Sequence, residues 1–137
     1  MFQDKEGVKA VIKGIHHVAL KAESMEKYEA AKRFYIEVLG LKLLREWPTG
    51  CMLDTGGGII ELFNNAPEAL PQGAIRHFAF YVDDVDAAAE SVRAAGCTIT
   101  TEPDDRLLKS EPPLPIRICF FIGPLGEEIE FFHIREE

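Results

Sequence analysis

Two periods of apolar spacing run along the chain, and they alternate in the same order twice. Over residues 14–22 the alternation is that of a strand, with Ile15, His17, Ala19 and Lys21 on one face and His16, Val18 and Leu20 on the other. The spacing then widens to that of a helix, carried by Tyr28, Ala31, Phe34, Tyr35, Val38 and Leu39. Ser24 is placed to cap its start, Glu26 suits the dipole of the first turn, and Gly40 is placed to end it. Strand-like stretches follow at 41–47, 51–55 and 59–64, separated by Pro48-Thr49-Gly50 and by Gly56-Gly57-Gly58. The order is β-α-β-β-β.

After a connector at 65–73 the series restarts. A strand is expected at 74–82, a helix at 85–95 capped by Asp83-Asp84 and stopped by Gly96, and strands at 97–101, 116–122 and 128–134. Residues 102–115, with four prolines, read as an irregular surface loop of the length that lids and binding loops have. The chain is thus an internal duplication with a period of about 60 residues. The fold class is α+β: two tandem βαβββ units whose curved mixed sheets each carry a helix on one face and line a cleft with the other. The expected boundaries are an N-terminal extension at 1–13, a first unit at 14–64, the connector, and a second unit at 74–137, together one compact domain.

Composition narrows the partners. Of 137 residues 47% are hydrophobic and 28% charged, which supports a packed core rather than a disordered chain. The net charge is −8 and no Lys/Arg stripe is present, which argues against nucleic acid. No stretch approaches the roughly 18 apolar residues of a membrane span, and the N-terminus lacks the apolar centre of a signal peptide, so no membrane partner and a cytoplasmic location are expected. Cys51, Cys97 and Cys119 are odd in number and lack CxxC spacing, and they read as buried reduced thiols.

The candidate chemistry lies where the halves echo each other. Ile15-His16-His17-Val18-Ala19-Leu20 matches Ile75-Arg76-His77-Phe78-Ala79-Phe80, and Ile60-Glu61-Leu62-Phe63 matches Ile129-Glu130-Phe131-Phe132. A glutamate between bulky apolar neighbours is costly to bury without a partner. Strand phase puts His17, Glu61, His77 and Glu130 on the faces that helices leave bare, with Ala19 and Ala79 giving room beside the histidines. Two imidazoles and two carboxylates make an N2O2 donor set for one divalent ion: Zn, Ni, Co, Mn or Fe. Two open positions on an octahedral ion would admit substrate oxygens, and the ion would act as a Lewis acid. His16 and His133 are out of phase with these ligands and read as structural.

Four stretches carry a family likeness: His17-Val18-Ala19-Leu20, Phe34-Tyr35-x-x-Val38-Leu39-Gly40-Leu41, His77-Phe78-Ala79-Phe80-x-Val82-Asp83-Asp84 and Gly123-Pro124-x-Gly126-x-x-Ile129-Glu130. Across residues 14–134 the chain resembles the vicinal oxygen chelate superfamily, which holds glyoxalases, bleomycin-binding proteins and extradiol dioxygenases. A fourth ligand at Glu61 is similar to the bacterial glyoxalase I pattern. That resemblance implies a lyase or isomerase acting on the hemithioacetal of an α-oxoaldehyde, with a proton moved through a metal-bound enediolate. Glu130 matches the family's base, and Glu61 is the other carboxylate able to serve. It also implies a homodimer with sites completed across chains, and glutathione as co-substrate.

Lys21 stands where glyoxalase I carries a glutathione-binding arginine, and lacks that residue's bidentate fork. Asn65 matches a glutathione-binding asparagine. Arg76 replaces a usual glycine, and Gly123 and Leu125 stand where Asp is common. Phe63, Tyr81 and Phe132 complete the expected substrate contacts, and Trp47 is a further aromatic for the cleft. Within the same superfamily the alternatives are a 2-acyl-CoA epimerase and a metal-free binder of drugs or other small molecules.

Overall fold

Each half of the chain builds a four-stranded sheet by the same route. The computed structural model describes residues 11–136, so most of the expected N-terminal extension lies outside the described residues. The first half runs β1 (His17–Lys21), α1 (Met25–Arg33), a π-helical turn (Phe34–Val38), β2 (Lys42–Trp47), β3 (Gly50–Asp54) and β4 (Ile59–Phe63). The second runs β5 (Phe78–Tyr81), α2 (Val85–Ala94), β6 (Ile99–Leu108), β7 (Leu114–Ile122) and β8 (Glu128–Ile134). The sheet orders are β1-β4-β3-β2 and β5-β8-β7-β6. In each, the first and last strands pair in parallel and the others antiparallel. This is the tandem βαβββ architecture of the vicinal oxygen chelate fold.

The helices start where their caps dictate. Ser24 Oγ accepts the Lys27 N–H at 3.1 Å, and Asp84 Oδ1 accepts the Ala87 N–H at 3.0 Å. The helices cover the purely apolar sheet faces. Ile60 and Leu62 of β4, Ile129 and Phe131 of β8, Tyr28, Ala31 and Tyr35 from the first helical segment, and Val85, Ala89 and Val92 of α2 join one buried cluster. Phe121 ties the halves together, with ring centroids 6.3 Å from Phe34 and 4.9 Å from Phe131. Burying such a ring stabilises by about 1.5–3 kcal/mol. Cys51 and Cys119 are fully buried and Cys97 half-buried, all as free thiols.

A polar bond crosses the same core. Tyr35 O–H donates to Glu127 Oε2 at 2.7 Å, and the Leu125 N–H donates to Oε1 at 2.7 Å. Burial pushes the Glu127 carboxyl above the ordinary carboxylate range, and these donors pull it some of the way back. The side chain folds over Gly123, where a Cβ would lie 2.6 Å from Glu127 Cδ.

The structure corrects the loop expected at 102–115. β6 continues to Leu108 and β7 begins at Leu114, so a long hairpin stands there and only residues 109–113 lie outside its strands. The prolines hid it. β6 is an edge strand, and Pro103 falls inside a register shift between Thr101 and Asp104, where no ladder bond needs its N–H. Pro115 sits beyond the last residue that pairs with β8, and its carbonyl accepts the Arg135 N–H at 2.9 Å. The fifth strand is also shorter than expected, with His77 just ahead of its first residue.

Candidate metal and substrate site

Cross-strand register lays out the bare face of the first sheet in rows. His17, Ile59, Asp54 and Lys42 form one, Ala19, Glu61, Met52 and Arg45 the next, and Lys21, Phe63, Gly50 and Trp47 a third. On the second sheet Ala79, Glu130, Phe120 and Thr101 share a row, followed by Tyr81, Phe132, Ile118 and Asp104. The strand phase expected for Glu61 and Glu130 from alternation matches this register: core residues Ile60, Leu62, Ile129 and Phe131 point to the helices, and the two glutamates point away.

Each histidine meets the glutamate of its own sheet. His17 Nε2 lies 3.4 Å from Glu61 Oε1, and His77 Nε2 lies 3.3 Å from Glu130 Oε1. The environments match as closely as the distances: side-chain exposure is 42% and 12% in the first pair and 39% and 12% in the second. The small Ala19 and Ala79 lie directly beside the carboxylates in the parallel ladders. Burial pushes the Glu130 carboxyl up, against the opposing pull of His77. Two donors held by one cation at about 2.0–2.2 Å stand roughly 3.0–3.4 Å apart, so each pair has the span of a two-donor bite.

The four candidate ligands do not meet within one chain. Among the described residues no three His, Cys, Asp or Glu side chains gather closely enough to hold an ion. His17 and His77 do line one open cavity of about 420 Å³ between the edges of β1 and β5, with Ala79 and Phe80.

The substrate candidates divide between the sheets. Lys21 Nζ sits 5.5 Å from the Phe63 ring centroid, and Trp47 meets Phe63 edge-on at 6.0 Å. Tyr81 is exposed, lies beside Phe132 in the ladder, and its hydroxyl accepts the Ile134 N–H at 3.3 Å. Asn65 is exposed just past β4, while its neighbour Asn64 donates to the Pro48 carbonyl at 3.0 Å. His133 Nδ1 lies 2.8 Å from the Val82 carbonyl, and His16 Nδ1 lies 3.0 Å from His17 Nδ1. Sequence reading passed over Phe120, which stands opposite Glu130 with its ring 5.1 Å from His77, and Met52, which stands opposite Glu61. The alternation of Ile118, Phe120 and Ile122 against Cys119 and Phe121 was the available signal.

A duplicated βαβββ fold with a His/Glu pair on each bare face defines a class, and the sequence comparison agrees. Residues 14–110 match the Glyoxalase/Bleomycin resistance protein/Dioxygenase superfamily, and the chain belongs to it. It is 33% identical to the uncharacterized protein YwkD of Bacillus subtilis, over 89% of this chain and 98% of that one. Among solved structures it is similar to TnmS3, an antibiotic binding protein from a Streptomyces species, with a TM-score of 0.71, 22% identity, and 93% and 100% of the two chains covered. It also resembles a lactoylglutathione lyase from Agrobacterium tumefaciens, with a TM-score of 0.62, 18% identity, and 89% and 94% covered. A binder and an enzyme share this fold, so the fold leaves the reaction open. No helix among the described residues is long and apolar enough to cross a membrane.

Proposed function

We propose that this protein is a metal-dependent lyase or isomerase of the glyoxalase I type, working as a homodimer. The observation that carries the reading is the pair of matched His–Glu bites on the bare faces of the two sheets. Their donor set fits one divalent cation when His17 and Glu61 of one copy face His77 and Glu130 of a second. A cation held there supplies Lewis acidity to two adjacent substrate oxygens. Glu130 takes the proton from the carbon beside the carbonyl and returns it to the neighbouring carbon, so the reaction needs no other reactant. Ala19 and Ala79 leave space for substrate beside the carboxylates, and Lys21, Phe63, Asn65, Tyr81 and Phe132 surround it. The three free thiols fit a reducing, cytoplasmic setting.

The test combines metal analysis of protein purified without chelator with methylglyoxal turnover, with and without glutathione. Bound Ni, Zn, Co, Mn or Fe and turnover that a chelator abolishes are expected. No bound metal and no gain on adding Ni or Zn would overturn the reading. A metal-free binder is the rival, favoured by Phe120 and Phe132, which stand half-buried on the bare face of the second sheet. Complementation tests the shared site: mixing inactive His17→Ala and His77→Ala proteins should restore about a quarter of wild-type activity, because half the dimers formed carry one intact site.

A further inference from the structure

The first sheet carries an arginine where regular alternation would not put one. β2 and β3 pair Lys42 with Asp54 and Leu43 with Leu53, and then skip to Arg45 with Met52. Leu44 is the extra residue of a β-bulge. Without it, Arg45 would stand opposite Cys51, on the side facing the helix. Glu46 holds that place instead and pairs with Lys32 of α1. The bulge therefore turns Arg45 to the same face as Glu61, two strands away, or roughly 10 Å across the sheet.

The neighbouring row is aromatic. The Trp47 ring lies over Gly50, where a Cβ would sit 3.0 and 3.1 Å from its atoms, and meets Phe63 beyond. Lys21 stands over the far side of Phe63. Neither Arg45 nor Lys21 has a carboxylate partner within 4.0 Å among the described residues, although the chain carries a net charge of −8. Lys42 of the same face is likewise without such a partner among the described residues, whereas on the helix-bearing side Lys27, Lys32, Arg93 and Arg117 are paired, Arg33 being the exception. A guanidinium fork without a carboxylate partner among the described residues, on the same strand face as an indole one row away, is suited to an oxyacid anion attached to a planar group.

We propose that this shelf binds the distal end of the substrate: a planar apolar segment stacked on the Trp47 indole and bounded by Phe63, whose ring stands at 67° to it, ending in a carboxylate or phosphate held by Arg45. The inference rests on the function proposed above only in assigning the substrate's reacting oxygens to the Glu61 end. It narrows the substrate to molecules that carry an anionic group on a planar apolar segment beyond those oxygens.

Trp47 is the single tryptophan of the chain, so quenching of its emission reads occupancy of the shelf directly. The probes are 3-phenylpropionate, phenyl phosphate and the neutral 3-phenylpropanamide, titrated into wild type and Arg45→Gln, with bound metal measured on the same preparations. The anions should bind about fivefold more tightly than the amide to wild type, as expected for an exposed ion pair at the upper end of its range. That preference should disappear in Arg45→Gln and weaken with salt. The stronger of the two anions identifies the oxyacid. Equal affinity for anions and amide in wild type, or a preference unchanged in Arg45→Gln, overturns the proposal. Emission that responds to protein concentration and to none of the probes also overturns it, since the shelf is then a seam between copies. The metal measurement separates the two claims. Metal without anion preference removes the shelf alone, and anion preference without metal removes the lyase reading alone.

Discussion

Set β4 beside β8, and the two halves agree at the carboxylate but differ a strand further out. Glu61 and Glu130 have the same exposure, the same alanine beside them and the same histidine contact. Across from Glu61 come Met52 and Arg45; across from Glu130 come Phe120 and Thr101. In the next row the first sheet leaves Gly50 bare beneath Trp47, whereas the second fills that place with Ile118, which is fully buried. Duplication kept what an ion would need and let the walls diverge. If the proposed site forms, two equivalent His–Glu pairs with unequal walls would accept a substrate in one orientation, with its charged end towards the first sheet.

The sharpest way to break that equivalence is to remove one carboxylate at a time. Glu130→Gln should lower turnover of a methylglyoxal hemithioacetal by about 10²–10⁴-fold, and Glu61→Gln by less. Equal losses in the two variants, measured alongside metal content, would show that the carboxylates share the proton transfer. Next in size, Phe121→Ala should destabilise the protein by about 3–5 kcal/mol, since that ring belongs to both halves of the core. Denaturant unfolding should remain one transition; a split into two would mean that the halves are independent.

Tyr35→Phe is smaller, at about 1–3 kcal/mol, because it removes a donor from the buried Glu127 carboxylate. Its pH dependence has a definite sign. A carboxyl raised by burial supports the fold below the ordinary carboxylate pKa, and that contribution is lost as pH rises through the raised value. Removing Tyr35's donor raises it further, so the gap between variant and wild type should widen from acid towards neutral pH. Smallest are the caps: Ser24→Ala and Asp84→Ala should each cost about 1 kcal/mol by thermal or chemical unfolding, and near-equal losses would extend the likeness of the halves to their helix starts.

What was legible in the sequence is what depends on local periodicity. The caps at Ser24 and Asp84 and the strand phase of His17, Glu61 and Glu130 all follow from counting along one segment. The hairpin at 99–122 was not legible, because proline argues against a strand until one knows that the strand lies at an edge. Neither was the Tyr35–Glu127 bond, whose partners are 92 residues apart. Whether the two ligand pairs meet depends on how whole sheets are oriented, which no local pattern encodes. Arg45 illustrates the same limit at small scale: one extra residue in β2 reverses its face, and only the partner strand reveals it.

The parallel pairing of first strand with last has a consequence for synthesis. Neither sheet can close until its final strand has left the ribosome, and β8 lies inside its sheet, between β5 and β7. The first unit can assemble early, but the apolar surface it offers to Phe121, Ile129 and Phe131 stays wet until β8 emerges. A ribosome that stops at Gly126 would release a chain lacking Glu130 and a central strand at once, with β5 and β7 left as open edges prone to pair with other chains. Translation thus yields either two closed sheets or a chain marked for aggregation or removal.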